Sequence, residues 1–327
     1  MTLKASNYPT ISPSLDLNFS QTKRLDPRIT FSRASTGTYF DANGVLQSAP
    51  AGVARFDHNP ETGESLGLLV EEARANLLLN SATLSTQSAT VTATSTTLSF
   101  YGTGTVTLTG VSTAGPLVGT GASNRVSLTF TPTAGSLTLT VSGSVTNAQL
   151  ETGAFPTSYI PTTSSTVTRA ADVASITGSN FSSWYNQSEG SFFVGANHKG
   201  SSYFNNAIFL KVNNGTTDNQ IKIFSVGADP YLYITDTAAV QAYIGAGSVS
   251  VGLPNKYAAG FTINNFALSV NGATAVTDAS GTNPTGMTQL AIGARLSGVG
   301  QPNGTISRLT YYPVRLPDAT LQAITAP

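Results

Sequence analysis

From residue 81 to residue 160 the chain repeats one pattern: an apolar side chain at every second position, with Thr or Ser between. It appears in Ala89-Thr90-Val91-Thr92-Ala93, in Thr105-Val106-Thr107-Leu108-Thr109, in Val126-Ser127-Leu128-Thr129-Phe130 and in Leu137-Thr138-Leu139-Thr140-Val141. A period of two belongs to the pleated strand, which turns successive side chains to opposite faces. Thr on the alternate face suits a pleated surface exposed to water. Gly102-Thr103-Gly104 and Gly119 to Ala122 break the runs, as turns require. Several short strands spaced this way imply a sandwich or jelly roll.

The flanking regions carry the same signal. Leu15-Asp16-Leu17-Asn18-Phe19 alternates apolar and polar, and Gly67-Leu68-Leu69-Val70 is a short apolar strand. Beyond residue 169, strands are predicted at Ser191-Phe192-Phe193-Val194, Ala207 to Val212, Gln220 to Phe224, Tyr231 to Ile234, Phe266 to Val270 and Ile306 to Tyr312. Asn43-Gly44, Asn214-Gly215 and Asn271-Gly272 mark hairpins, because Asn-Gly takes up the positive φ angles of tight turns; Asn303-Gly304 marks a further turn. Helix is expected only over Glu71 to Leu79, as one or two turns, and over Pro317 to Ile324. The expected fold is all-β, as antiparallel β-sandwiches in three parts. Residues 1–80 form a head segment that attaches or packs onto the next unit. Residues 81–161 form a jelly-roll-like sandwich, and 162–327 a second sandwich.

Charge narrows the function. Only 10% of the 327 residues are charged and the formal net charge is zero. No basic stretch could neutralise a row of phosphates, so nucleic acid is not an expected partner. Residues 1–80 hold nearly half the charged side chains, whereas from Ala75 to Leu150 the only one is Arg125. Such a neutral stretch is either a sandwich covered by Thr and Ser or a surface buried in an oligomer or particle. With no cysteine the fold uses neither disulfide nor thiolate metal site. Met1 to Ser20, broken by Pro9 and Pro13, has no leader pattern, and no apolar run is long enough for a membrane span.

Three segments carry a resemblance. The first is Ile29-Thr30-Phe31-Ser32-Arg33-Ala34-Ser35-Thr36-Gly37-Thr38-Tyr39, with Gly44, Arg55 and Gly67-Leu68-Leu69-Val70-Glu71 through Asn76-Leu77-Leu78. The second is Gln149-Leu150-Glu151-Thr152-Gly153-Ala154-Phe155-Pro156-Thr157-Ser158-Tyr159-Ile160-Pro161, followed by Thr168-Arg169-Ala170-Ala171-Asp172. The third is Lys256 to Phe261 with Leu268 to Gly272, then Ile292-Gly293 and Gly304 to Ile324. Together they resemble bacteriophage tail-fibre and virion-surface proteins with a carbohydrate-binding-module-like jelly roll and a concanavalin A/laminin-G-like domain. The resemblance implies a virion protein made in the bacterial cytoplasm: a tail fibre or short appendage that contacts a host-surface glycan. The alternative is a capsid decoration, head fibre or tail adaptor that touches only virion proteins. It also implies a homo-oligomer, expected as a trimer.

No catalytic residues are predicted. His58 and His198 sit in no catalytic motif and are expected to be surface or structural residues. The acids Glu151, Asp172, Glu189, Asp218, Asp229 and Asp236 have no spacing that selects the facing pair a glycosidase needs. No cofactor is expected; Asp41, Asn43 and the loop Asn213 to Asn219 could offer oxygens to Ca²⁺, although Asx-rich turns are commonly only turns. Candidate ligand contacts are the aromatic residues Trp184, Tyr185, Tyr203, Tyr231, Tyr233 and Tyr243, whose flat faces suit sugar stacking and equally suit core packing. Gly37 and Gly44 are expected at turns. Arg33, Arg55 and Glu71, charged residues beside apolar runs, are expected to pair with each other or with backbone groups.

Overall fold

The computed structural model describes residues 8–200, 206–295 and 299–327. Every strand pairing among them is antiparallel, and two sandwiches result. The larger has a seven-stranded sheet in the order Thr30–Ser32, Val173–Thr177, Gln289–Ile292, Asn206–Asn213, Gln220–Val226, Asp229–Asp236, Ala239–Gly245. Facing it is an eight-stranded sheet that runs Val276–Asp278, Asn265–Val270, Asn255–Thr262, Gly190–Ala196, Gly304–Tyr312, Ser65–Val70, Phe56–His58. Its eighth strand, Leu15–Asn18, pairs with Arg308 to Tyr311, while Ser65–Val70 takes Gly304 to Ile306 on the same strand. Phe192, Phe209, Phe261, Tyr311, Ile221, Ile223, Leu232, Ile234 and Leu290 fill the space between the sheets without exposure.

The smaller sandwich packs a four-stranded sheet (Leu117–Val118, Thr105–Gly110, Gly135–Ser142, Gln87–Val91) on a three-stranded one (Gly121–Phe130, Thr96–Gly102, Val145–Thr152). Its core is Leu98, Phe100, Val106, Leu137, Leu139 and Leu150, of which Val106, Leu137 and Leu139 are apolar members of the alternating runs. A two-stranded ribbon, Arg74–Asn76 against Val167–Arg169, ties the entry of this unit to its exit.

The hydrogen bonding divides the chain differently from the three-part expectation. Four strands of the first 80 residues, Leu15–Asn18, Thr30–Ser32, Phe56–His58 and Ser65–Val70, belong to the large sandwich, and the small one is inserted between them and the rest. The reason is size: strands of three to six residues bury too little surface alone and complete existing sheets instead. The helix expected over Glu71 to Leu79 is absent, because Arg74–Asn76 pairs across the ribbon and tertiary pairing overrides a weak helical preference. The C-terminal helix forms at Asp318–Thr325. Its Leu321 lies on Ala258 and Ala267, small residues on the outer face of the eight-stranded sheet.

One glycine expectation also needs correction. Gly37 is not at a turn; it starts the strand Gly37–Phe40. A Cβ there would press on Arg33 at 3.1 Å and on Arg55 at 3.2 Å, so its smallness makes room for two guanidinium side chains. Gly44 is at a turn, with positive φ, and a Cβ would also strike the Pro60 carbonyl oxygen. Asn43 beside it keeps negative φ, because the loop between Gly37–Phe40 and Leu46–Ala49 is longer than a two-residue turn; at Asn271-Gly272 both residues take positive φ.

Candidate functional site

Three arrangements of polar side chains stand out. The first is a buried ion cluster where the two sandwiches meet. Arg33 follows the strand Thr30–Ser32, Arg55 precedes Phe56–His58, Glu71 follows Ser65–Val70, and Asp172 precedes Val173–Thr177, so all four lie at strand ends facing the seam. Asp172 receives Arg33 at 3.1 Å and Arg55 at 2.5 Å; Glu71 receives Arg55 at 2.9 Å and Arg169 at 3.1 Å. Ser158 of the small unit's exit segment donates its N–H to Glu71 at 2.7 Å and its hydroxyl at 2.6 Å. Nearby, Glu151 accepts from the Thr157 N–H at 2.8 Å and the Thr157 hydroxyl at 2.7 Å. Burial alone would raise the Glu71 carboxyl, but Arg169, Arg55 and Ser158 outweigh it and hold the group well below the usual carboxylate range. Every charge here is engaged inside the protein, so the cluster orients the sandwiches and offers nothing to a ligand. The head and exit motifs of the sequence thus converge on one structural joint.

The second arrangement is a crevice of about 260 Å³ beside that joint, between Tyr39, Phe40, Asp57 and Leu69 on one side and Tyr101 and Arg125 on the other. Asp57 accepts the Phe40 N–H at 2.7 Å, and burial pushes its carboxyl up. His58 pairs Nδ1 with the Phe40 carbonyl oxygen at 2.9 Å. The other carboxylate on the wall, Glu71, is locked by its two arginines.

The third is the outer face of the seven-stranded sheet. Pairing sets Lys211 beside Lys222, Lys222 beside Tyr233, and Tyr233 beside Tyr243, one row across four strands. Phe224, Tyr231 and Gly245 make the next row. Tyr231 stacks on Phe224 at 5.4 Å between centroids and on Tyr243 at 5.0 Å, and Tyr233 meets Tyr243 edge-on at 5.7 Å. Tyr243 is 58% exposed, so this aromatic shelf opens to solvent. The Lys222 ammonium lies 3.8 Å from the Phe224 centroid and 5.0 Å from that of Tyr233. Burial, with the nearby Arg295 charge, lowers both Lys211 and Lys222 to about 8.

The expected contact residues therefore separate. Tyr231, Tyr233 and Tyr243 come together on this face. Trp184 and Tyr185 do not join them: they are buried at 5% and 8% exposure in the core of the large sandwich, Tyr185 stacked on Phe181 and Tyr311 and Trp184 edge-on to both. Their spacing carried a signal for this, since Phe181, Trp184 and Tyr185 stand at i, i+3 and i+4 around the short helix Ser179–Ser182 and share one face. Tyr203 lies outside the described residues. Lys211 and Lys222 were missed, although strand parity places each opposite its core neighbours. His198 is buried, with Nε2 at 2.9 Å from the Gly227 carbonyl oxygen, and burial lowers it. The oxygens weighed for calcium serve their own turns. Asp41 accepts from the N–H groups of Asn43 and Val45 and from Gln47, and Asn213 from Gly215 and Gln289. Among the described residues no three His, Asp or Glu side chains are grouped as metal ligands, and no helix is long and apolar enough to cross a membrane.

No family model matches the chain, and no curated protein matches it. Among solved structures it is similar to the CBM40 domain of a Ruminococcus gnavus IT-sialidase, bound there to alpha2,3 sialyllactose. The identity is 19% and the TM-score 0.38, over 43% of this chain and 84% of that one. A leech intramolecular trans-sialidase gives 17% identity and a TM-score of 0.38, over 45% of this chain and 24% of that one. A SAP-like pentraxin from Limulus polyphemus gives 12% and 0.32, over 42% and 70%. Each likeness covers less than half of this chain and concerns part of its β architecture alone.

Proposed function

We propose that the chain is a glycan-binding protein that takes a saccharide on the outer face of its seven-stranded sheet, over Tyr231, Tyr233 and Tyr243. The observation that carries this reading is the exposed stack: Tyr243 stands 58% open, stacked on Tyr231 at 5.0 Å. An aromatic ring fixed before binding meets the apolar face of a sugar with little loss of side-chain freedom. The reading is of a binding protein, not an enzyme. Its setting, supported by the sequence resemblance, is a short phage appendage that meets the host surface, with the chain assembled as a homo-oligomer, expected as a trimer. The nearly uncharged stretch from Ala75 to Leu150 supports contacts between the small sandwich and other virion proteins or copies of itself.

The test is a glycan array probed with the wild-type protein and with Tyr243→Ala. Binding to a saccharide class, lost in the variant at unchanged melting temperature, is the expected result. A folded wild-type protein that binds nothing on the array and does not adsorb to bacterial cells would remove the reading. Light scattering at micromolar concentration that returns the monomer mass would remove the oligomer.

A further inference from the structure

We infer that the saccharide taken on this face is acidic, and that Lys211 and Lys222 hold its carboxylate or sulfate. The inference rests on the glycan reading and adds the chemical class of the ligand.

Among the described residues, the buried arginines and lysines follow a rule with two exceptions. Arg33, Arg55, Arg74 and Arg169 are buried, and each has a carboxylate oxygen within 3.1 Å. Lys211 and Lys222 are buried to the same degree as residues, 3% and 7% exposed, and among the described residues neither forms an ion pair, although neither ammonium nitrogen is a sealed-off atom without a partner. No carboxylate elsewhere in the chain can fill the role, since residues 1–7, 201–205 and 296–298 contain no Asp or Glu. The register makes the two lysines direct cross-strand neighbours, so like charges lie side by side, the arrangement that destabilises a sheet. Arg295 adds to the same positive field.

Contact of Lys222 with Phe224 and Tyr233 offsets part of this cost but supplies no opposite charge. Two methionines would pack the position with no such penalty. An anion seated between the ammonium groups removes the repulsion and supplies the missing acceptors. The row Lys211, Lys222, Tyr233, Tyr243 then reads as one site: a charged group at the lysine end and a sugar face on the tyrosine end. Lysines act as point charges, so a carboxylate and a sulfate ester fit alike.

The experiment immobilises sialyl-, uronate- and sulfate-bearing oligosaccharides beside their uncharged parent sugars and measures binding of the full chain, then of Lys211→Met and Lys222→Met. The expected result is binding to at least one acidic series, at least tenfold weaker for its uncharged parent and for either lysine variant. In the wild type this binding weakens as salt rises. Because the wild type is titrated with salt as well, the result does not depend on the variants folding. Equal binding of acidic and parent sugars, with loss in Tyr243→Ala, would overturn this inference and leave the glycan reading intact. So would acidic binding that both lysine variants retain. Absence of binding to every sugar would overturn both.

Discussion

The seam between the sandwiches and the outer face of the seven-stranded sheet both bury positive charge, and they treat it in opposite ways. At the seam, Arg33, Arg55 and Arg169 meet Asp172 and Glu71 with all partners supplied by the chain. On the sheet face, Lys222 meets aromatic rings and lies beside Lys211. A closed set of charges fixes the structure; an open set leaves an interaction for something outside it. Burial of a cation therefore says little about function until its partners are counted.

The comparison can be broken most forcefully at the seam. Asp172→Asn leaves Arg33 and Arg55 facing a neutral amide. Removal of one partner from a buried pair is expected to cost about 3–5 kcal/mol, read as a lower midpoint in urea unfolding. A midpoint unchanged within error would mean that the cluster does not hold the sandwiches. Acid gives a graded form of the same test. The Glu71 carboxyl is depressed in the folded state, so its contribution is complete above the unfolded value of about 4.3 and is lost as pH falls from there toward the folded one. The melting temperature should drop below that pH, and Glu71→Gln should flatten the slope while lowering the whole curve.

On the sheet face the sign reverses. Lys211 and Lys222 titrate near 8 in the fold, below the ordinary lysine value of about 10.4, so the unfolded chain binds more protons between these limits. Stability of the free protein should rise as pH climbs from 8 toward 10, and Lys222→Met should raise it by about 1 kcal/mol at pH 7. The charged or titratable groups sharing that face are Arg295 and the phenols of Tyr231, Tyr233 and Tyr243. A thermal scan that shows Lys222→Met less stable than wild type would mean that the ammonium has a partner in the protein. The smallest effect belongs to Tyr243→Ala, an exposed position where stability should move by no more than about 0.5 kcal/mol. A larger loss in calorimetry would make the ring a packing residue instead of a contact.

Much of the sandwich was legible because strand parity is local. Val106, Leu108, Leu137 and Leu139 are core residues where the alternation placed them. The same parity puts Tyr231 and Tyr233 on the face opposite Leu232 and Ile234. Arg55 and Glu71 stood out as charges beside apolar runs, but Arg33 and Arg55 both rely on Asp172, more than a hundred residues away, which no local pattern identifies. Trp184 and Tyr185 were drawn to the surface by their chemistry, although their spacing with Phe181 marks a packed face.

The amino-acid order by itself determined which side chains share a face, since the pleat alternates with a fixed period of two. It also marked where the chain must turn, since Gly44 and Gly272 take backbone angles that side chains resist. The tertiary structure alone decided which strands became neighbours, and with that which charges found an opposite. Pairing joins residues far apart in the chain and depends on register, so the sequence could name Lys211 and Lys222 as outward-facing but could not set them side by side or show that no carboxylate reaches them.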